Sequence, residues 1–159
     1  MKKVLIIGYG DIGIRIAARL PKQEFLGVSR SASAALPNVE FIQHDWMNES
    51  KLIVPSMDFS TIVLILKPTS PDSDGYQRGF LDASYRMMDF FNKNLSYEKL
   101  LIVTSTRVYG LGNGRNITEV MKPLPDDEQA SIILEYEDFV TRESKIEPLI
   151  LRPSGLYDE

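Results

Sequence analysis

Two kinds of hydrophobic pattern alternate along the chain: continuous apolar stretches, and stretches whose apolar residues recur at helical spacing. Most of the continuous stretches are rich in Val, Ile and Leu, which is typical of strands buried on both faces of a parallel sheet. We predict six strands, at residues 4–7, 25–29, 39–42, 61–66, 100–103 and 148–151.

The periodic stretches predict helices between these strands. The first helix has an apolar residue at every fourth position from Ile12 to Leu20, and Pro21 ends it. Further helices are predicted over residues 80–94 and from about residue 126, where an acidic start suits a helix N-terminus.

The remaining segments are predicted from their Gly, Pro and polar residues. We predict loops at residues 69–75 and 110–125, a loop or short helix at 31–37, and a short crossover helix at 51–57, interrupted by Pro55.

Strands that alternate with helices favour an α/β fold with a doubly wound, open parallel sheet and helices on both faces. Right-handed crossovers then give the strand order 3-2-1-4-5-6, with a ligand crevice between strands 1 and 4. A length of 159 residues suits a single domain with its own core. The pattern therefore predicts one Rossmann-like domain over residues 1–159.

A G-x-G-x-x-G motif lies between the first strand and the first helix. In that context the first glycine allows a tight turn, the second lets the backbone approach a pyrophosphate, and the third lets helix and strand pack closely. The helix N-terminus then offers free N–H groups to the phosphates. We therefore predict dinucleotide binding rather than a purely structural turn, with contacts from Gly8, Tyr9, Gly10, Asp11, Ile12 and Gly13.

The end of the second strand bears on the choice between NAD and NADP. NAD sites place an Asp or Glu about 20 residues after the glycines, where it binds the ribose 2′-hydroxyl. This chain has Ser29, Arg30 and Ser31 there, and an Arg can pair with the 2′-phosphate of NADP. We predict that Arg30 contacts the cofactor and that NADP is preferred. The alternatives are NAD as cofactor and an ordinary solvated Arg.

Composition and charge exclude several classes of function. The chain has no cysteine, which excludes disulfides, thiolate catalysis and cysteine-ligated zinc. Its net charge is −4 with both signs mixed, so we expect neither nucleic-acid binding nor a membrane-binding face. The apolar run before Gly8 is too short for a signal peptide, and no later stretch could span a bilayer. We expect a cytoplasmic protein without a metal site.

Motifs beyond the glycine turn resemble those of a known family. Residues 103–110 (VTSTRVYG) resemble the S-S-x-x-V-Y-G segment of extended short-chain dehydrogenases, the NAD(P)-dependent epimerase/dehydratase family. Residues 151–157 (LRPSGLY) resemble its L-R-P-x-x-x-Y-G segment, and the glycine motif is closest to atypical members with G-x-G-D-[IL]-G. The resemblance implies a bound NAD(P) and chemistry at a carbonyl or hydroxyl group, with nucleotide sugars among the candidate substrates.

The resemblance also implies site residues. Asp45 matches the acidic residue that contacts the adenine ring, and Glu119 matches a glutamate in the loop beyond the Ser segment. Ser105 matches the serine whose hydroxyl binds the reacting oxygen. Trp46 either covers the adenine pocket or is a core contact, and His44 is predicted to be a packing residue rather than a catalytic one.

The carboxyl ends of the fourth and fifth strands lie on the ligand side of such a sheet. We predict that Leu66 and Lys67 contact the cofactor. Lys67 and Arg107 either meet a phosphate or an anionic substrate or are simply solvated. The acidic residues 126–128 are predicted to start a helix rather than to bind a metal.

The family's Tyr-x-x-x-Lys pair has no match in this chain. In the family, the Tyr passes a proton and the Lys, one helical turn later, favours the phenolate. In the helix after the Ser segment, Gln129 stands at the Tyr position and Ile133 at the Lys position. Two hypotheses follow: an NADP-dependent oxidoreductase or epimerase, or a catalytically inactive dinucleotide-binding protein such as a redox sensor or regulatory partner.

The sequence stops at Glu159, where the resemblance implies a seventh strand and a separate substrate-binding lobe. We expect this lobe to be absent, either because the protein is naturally short or because the sequence is a truncated product. The sixth strand would then be an apolar edge strand, which soluble proteins normally cover. We predict a homodimer or other self-association through this edge.

Overall fold

The computed structural model describes residues 2–31, 33, 36–48, 52–110 and 116–154. Its centre is a six-stranded sheet in which every pair of neighbouring strands is parallel. The strands are β1 Val4–Ile7, β2 Phe25–Ser29, β3 Val39–Gln43, β4 Asp58–Ile65, β5 Ser96–Val103 and β6 Leu149–Leu151. Their spatial order is β3-β2-β1-β4-β5-β6, which confirms the predicted topology.

Helices cover the sheet from both sides. The helices of the described residues are α1 Asp11–Arg19, α2 Ser73–Tyr76, α3 Ala83–Asn94 and α4 Glu128–Glu143, with a π-helical segment, Gln77–Asp82, joining α2 to α3. On one side, Ala17 of α1 is buried with Ile6 and Phe25. On the other side, residues of α3 and α4 share a larger core with Leu5 and Leu64. The predicted doubly wound fold is confirmed.

The strands form here because their residues are apolar on both faces. Leu5, Ile6 and Ile7 of β1 have no exposed surface, and Ile6 lies in the core beside α1 while its neighbours lie in the opposite core. Successive residues of a strand point to opposite faces, so a strand between two helical layers needs a continuous apolar run. Since β1 lies between β2 and β4, the glycine turn that follows it falls at the middle of the carboxyl edge.

The second helical region begins earlier than predicted. We predicted a loop at residues 69–75 and a helix from residue 80, but α2 already begins at Ser73. The Asp72 side chain accepts a hydrogen bond of 2.7 Å from the Gly75 backbone N–H and so caps this helix. The hydrophobic pattern misses the first turn because a polar cap, rather than apolar spacing, fixes where the helix starts.

The short helix predicted at residues 51–57 is wrong over 52–57, the part of that segment that the structure describes. Leu52 and Val54 are buried while Ile53 between them is 73% exposed, which is the alternation of extended chain. Pro55 contributes to this outcome, because a proline disfavours the helical conformation of the residue before it.

Other boundaries differ by smaller amounts. β4 and β5 extend further toward their N-termini than predicted, because polar residues there still pair, as Asp58 does with Ser96. A short 3₁₀ helix, Thr106–Tyr109, follows β5 and was not predicted. Residues 116–125 of the predicted loop carry neither helix nor strand, and Glu119 is exposed.

Some predictions fall outside the described residues. They concern residues 111–115 of the predicted loop, part of the segment after β2, and the end of the L-R-P motif from residue 155 onward. Among the described residues, no helix is both long enough and apolar enough to cross a membrane.

Candidate functional site

A cavity of about 650 Å³ lies at the carboxyl edge of the sheet, bordered by the ends of β1, β2, β4 and β5. The chain winds away from β1 and β4 in opposite directions, which leaves a crevice between the loops that follow these two strands. The volume is in the range of ligand-binding pockets. The cavity therefore lies where the predicted topology places a ligand.

The glycine turn forms one wall of the cavity. Gly8 has a φ of +86°, a conformation that glycine adopts without strain, and a Cβ there would lie 1.9 Å from the Ile65 carbonyl oxygen. The backbone N–H groups of Gly8 and Tyr9 both donate to the Val28 carbonyl oxygen, at 2.9 Å each. The turn is thus tied to β2 and β4 at once, and only glycine fits at residue 8.

Gly10 borders the cavity beside open space. A Cβ on Gly10 would have the Gly8 carbonyl oxygen, 4.0 Å away, as its nearest neighbour. Gly10 is also the N-cap of α1, and no side chain of the described residues caps the helix there. The first turn of α1 therefore keeps N–H donors, and the positive end of the helix dipole, for a ligand. Open space together with these donors fits a pyrophosphate.

Gly13 and the Tyr9 ring pack against each other below the glycine turn. A Cβ on Gly13 would come within 2.9 Å of the Tyr9 ring, so Gly13 allows the close packing of helix and strand. The Tyr9 side chain is fully buried, packs against Phe41, and burial raises the pKa of its phenol. Tyr9 borders the cavity, and its contact with the cofactor stays a prediction.

Arg30 and three serines border the cavity where β2 ends; the serines are Ser29, Ser31 and Ser33. The Arg30 guanidinium lies 5.9 Å from the centre of the Trp46 ring, within the range of a cation–π contact. The Ser29 hydroxyl donates to the Ser31 carbonyl oxygen at 2.6 Å, which holds the end of β2 in shape. A guanidinium at this position suits a phosphate monoester, because it offers charge and several donors. Trp46 is 7% exposed, so it is both a core residue and a wall of the cavity.

Asp45 borders the cavity next to Trp46. Its carboxylate accepts hydrogen bonds from the residues that follow it, which stabilise the turn after β3. The Met47 backbone N–H donates to one oxygen at 3.0 Å, and the Asn48 amide donates to the other at 2.7 Å. Desolvation raises the pKa of Asp45, but these hydrogen bonds and the charge of Arg30 outweigh it, so the pKa is lowered. Asp45 is therefore an ionised acceptor held in a fixed position.

The end of β4 forms the wall on the other side of the glycine turn. Leu66 is buried and Lys67 is exposed, and both border the cavity together with Thr69. Gly79 of the π-helical segment packs on this wall, since a Cβ there would lie 2.2 Å from the Lys67 carbonyl oxygen. Sequence analysis did not single out Thr69 or Gly79. Gly79 lies just before the helix predicted over residues 80–94, so the hydrophobic pattern carried no signal for it.

At the end of β5 it is Thr104 that borders the cavity. Ser105, the predicted catalytic residue, accepts a hydrogen bond of 3.1 Å from the Arg107 backbone N–H and caps the 3₁₀ helix. The Thr104 hydroxyl donates to Glu137 of α4 at 2.6 Å. A catalytic role for Ser105 stays a prediction. Thr104, which sequence analysis did not single out, is the residue after β5 that borders the cavity.

Glu137 is a buried carboxylate, 1% exposed, at the back of this wall. Arg152 binds it with two donors, the shorter contact being 2.6 Å, and a third Arg152 donor reaches the Tyr109 hydroxyl at 2.7 Å. The hydrogen bond to Glu137 holds the pKa of Arg152 above its usual range. The ion pair fixes the end of β6 to α4 beside Thr104.

The positions that the resemblance assigns to the Tyr-Lys pair are used for packing and for a loop contact. Ile133 is 2% exposed in the core between the sheet and α4. Gln129 donates from its side-chain amide to the Pro71 carbonyl oxygen at 2.7 Å. Ile133 cannot move a proton, and the Gln129 amide is held by a backbone group.

Arg107 was predicted either to meet a phosphate or an anionic substrate or to be solvated, and its partly exposed side chain forms an ion pair within the protein. Its guanidinium contacts Asp127 at 2.8 Å and donates to the Tyr76 hydroxyl at 3.2 Å. Asp127 is the N-cap of α4, so the start of that helix is fastened to the end of β5.

No protein-family model matches the sequence, and no curated protein matches it in sequence either. Solved structures do match. One is UDP-glucuronic acid 4-epimerase from Bacillus cereus in complex with NAD, with 18% identity and a TM-score of 0.75; the match covers 98% of this chain and 57% of that one. Another is a putative NAD-dependent epimerase/dehydratase from Methylobacillus flagellatus, with 22% identity, a TM-score of 0.72, and coverage of 98% and 55%.

A third match is UDP-N-acetylglucosamine 4-epimerase from Methanobrevibacter ruminantium, with 18% identity, a TM-score of 0.71, and coverage of 95% and 54%. This chain thus spans about half the length of the solved structures that it matches. The predicted resemblance is confirmed at the level of fold.

Proposed function

We propose that this chain, which shares the fold of the NAD-dependent epimerase/dehydratases, is a nucleotide-binding domain whose cavity holds NADP in preference to NAD. The observation that carries the proposal is one cavity bordered at its middle by the glycine turn, on one side by Arg30 and on the other by Lys67. A pyrophosphate fits the open space at Gly10 and the start of α1, where N–H donors remain.

Arg30 and its neighbouring serines would then hold the 2′-phosphate, and Asp45 and Trp46 would border the adenine. The end of β4, with Lys67 and Thr69, would border the nicotinamide half, because the dinucleotide crosses the sheet edge at the switch between β1 and β4. When bound, the cofactor supplies a hydride donor or acceptor.

Titration of the protein with NADPH and with NADH tests the preference. NADPH is expected to bind more tightly, and Arg30→Ala is expected to raise its Kd by about 10- to 100-fold, because charge-assisted hydrogen bonds are lost. NADH affinity should hardly change. Arg19→Ala is the matched control, since Arg19 lies at the far end of α1 from the cavity. Tighter binding of NADH by the unaltered protein would contradict the assignment.

For the activity, we propose an oxidoreductase or epimerase of the epimerase/dehydratase type, acting on a carbonyl or hydroxyl group. The fold and the cofactor cleft support it, and nucleotide sugars are the substrate class that the matching structures suggest. The alternative is a catalytically inactive dinucleotide-binding protein. The buried Ile133 and the Gln129–Pro71 hydrogen bond favour this alternative, because they leave no Tyr-Lys pair at the site.

Hydride transfer separates the two proposals. Oxidation of NADPH with a panel of carbonyl compounds, abolished by Ser105→Ala, would identify an enzyme and exclude the inactive alternative. NADPH binding without turnover, unchanged by Ser105→Ala, would identify the binding protein. A Thr104→Val variant belongs in the same assay, because Thr104 borders the cavity at the end of β5.

We also propose that the chain self-associates through β6. Leu149 and Leu151 are 58% and 45% exposed, and the register places them beside Leu101 and Val103 on one face of the sheet. In an antiparallel pair of two β6 strands around a two-fold axis at Ile150, Leu149 of each strand would lie opposite Leu151 of the other. Such pairing would cover the open strand edge as well.

Sedimentation of the protein over a range of concentrations tests this arrangement. A dimer is expected, and Leu151→Lys should shift the protein to the monomer by placing charges at the centre of the contact. Leu20→Lys serves as the control, because Leu20 is similarly exposed but lies after α1. A monomer at all concentrations would contradict the proposal.

A further inference from the structure

The turn between β4 and α2 carries two of the residues that border the cavity, Lys67 and Thr69. Its inner side is tightly packed. A Cβ on Gly75 would lie 2.2 Å from the Ser70 carbonyl oxygen, and the Thr69 backbone N–H donates to the Gly75 carbonyl oxygen at 3.0 Å. The turn and the start of α2 therefore move as one piece, which we call the β4–α2 turn, residues 67–75.

The outer side of the β4–α2 turn is exposed at Pro71 and Asp72. The Asp72 side chain accepts hydrogen bonds from Ser70 and Gly75, both within the turn itself, and these bonds lower the pKa of Asp72. They shape the turn but do not fix it to the rest of the molecule.

Two side-chain hydrogen bonds join the β4–α2 turn to the first turn of α4. The Gln129 amide donates to the Pro71 carbonyl oxygen at 2.7 Å, and the Ser73 hydroxyl donates to Glu128 at 2.5 Å. The first turn of α4 is itself fixed, because Asp127 is paired with Arg107 at the end of β5. A rigid element thus holds the exposed end of the turn.

We propose that Gln129 is a positioning residue for the cofactor, which holds the β4–α2 turn so that Lys67 and Thr69 form the wall for the nicotinamide half. The proposal rests on the proposed dinucleotide binding. It concerns only the half of the cavity beyond the glycine turn, because the adenine half is built from β2 and β3, which Gln129 does not contact. Gln129 therefore affects the two halves of the cofactor unequally.

The test variant is Gln129→Met, which keeps the length of the side chain and a good helix former but removes the donor. Its affinity is measured for NADPH and for 2′,5′-ADP, which carries only the adenine half. If the unaltered protein prefers NADH, the pair is NADH and ADP. The matched control is Ser131→Ala, which removes one hydrogen bond, to the Asp127 carbonyl oxygen, within the same helical turn.

Gln129→Met is expected to raise the Kd of the dinucleotide about three- to tenfold, the effect of one lost hydrogen bond, and to leave the adenine fragment unchanged. Ser73→Ala should act in the same direction, while Ser131→Ala should change neither Kd. A loss of stability alone would weaken both ligands equally. That outcome, or equal affinities in Gln129→Met and Ser131→Ala, would overturn the inference.

The failure of the inference can be told apart from the failure of the proposed function. If the unaltered protein binds the dinucleotide and Gln129→Met binds it equally well, dinucleotide binding stands and the positioning role is wrong. If the unaltered protein binds neither NADPH nor NADH, both are wrong.

Discussion

Glycines at and beside the glycine turn differ in whether packing leaves room for a side chain. Gly27 of β2 faces the buried Tyr9 ring, and a Cβ there would lie 2.6 Å from the ring. Gly10, on the cavity side of the same turn, has open space where a side chain would be. The packing of the protein therefore requires glycine at residue 27, while at residue 10 packing leaves room for a side chain.

These two glycines make a matched pair of substitutions. Gly27→Ala is expected to destabilise the fold by about 1–3 kcal/mol, because the added methyl group overpacks the Tyr9 ring. Gly10→Ala should leave the free energy of unfolding almost unchanged but weaken NADPH binding, because the methyl group occupies the space for the pyrophosphate. Urea unfolding and NADPH titration of both variants check this. A strongly destabilised Gly10→Ala variant would contradict it.

At the scale of elements, α4 is the helix that organises the second half of the site. Its N-cap Asp127 accepts a hydrogen bond from the Ala130 backbone N–H at 2.7 Å and is paired with Arg107. Further along, Glu137 holds Arg152 and Thr104, so one helix fixes the ends of both β5 and β6. The start of α4 also reaches the β4–α2 turn, which makes it the link between three loops.

Removing the N-cap of α4 should measurably lower the free energy of unfolding. Asp127→Ala is expected to lower the free energy of unfolding by about 1 kcal/mol, the typical value of an N-cap. Asp127→Asn, which keeps an acceptor for the helix N–H groups, should lose less. Chemical unfolding at neutral pH compares the two variants, and equal losses would show that the ion pair, rather than the cap, stabilises the helix.

Asp127 also predicts that the stability of the protein depends on pH. The hydrogen bond from Arg107, followed by that from Ala130, lowers the pKa of Asp127 below its value in the unfolded chain. The contribution of ionised Asp127 to the free energy of unfolding is therefore fully present above the pKa of the unfolded chain, near pH 4. It is lost as the pH falls through the lower pKa that Asp127 has in the folded protein. The stability difference between the unaltered protein and Asp127→Asn should shrink from pH 6 to about pH 2. A difference independent of pH would contradict this.

At the scale of the whole molecule, the cavity is a consequence of topology. Because β1 lies between β2 and β4, the chain leaves the sheet centre in both directions, and the loops after β1 and β4 diverge. No single element contains the site, since the walls come from residues as far apart as Gly10 and Thr104. A bound dinucleotide would therefore contact both halves of the fold at once.

Ligand binding should accordingly stabilise the whole fold. At a free concentration 100 times its Kd, NADPH is expected to add about 2.7 kcal/mol to the free energy of unfolding, because it binds the folded state alone. For a chain of this length that corresponds to a rise in Tm of about 5–10 °C. NADH at the same concentration should raise the Tm less. Thermal unfolding with each cofactor measures the difference, and a larger effect of NADH would contradict the NADP preference.

Much of the fold followed from local pattern. The apolar runs and the glycine motif predicted six strands, their order and the position of the crevice, because burial on both faces leaves a strong signal and handedness restricts the connections. The start of α2 and the extended segment at 52–57 were missed, because a polar cap and a proline decided them. The glycine turn and Arg30 were placed at the ligand edge because each directly follows a strand, and Asp45 was placed there by the family resemblance. All three border the cavity.

The rest of the site depends on contacts between distant segments. Whether Thr104 or Ser105 borders the cavity is set by how β5 ends against Glu137, 33 residues later in the chain. That Arg107 is paired with Asp127, and that Gln129 holds Pro71, follows from the packing of α4 against two loops. The sequence by itself thus determined the sheet, the glycine turn and the residue types at the strand ends, since these depend on neighbours along the chain. The tertiary structure alone decided which side chains meet, since those contacts join residues that only folding brings together.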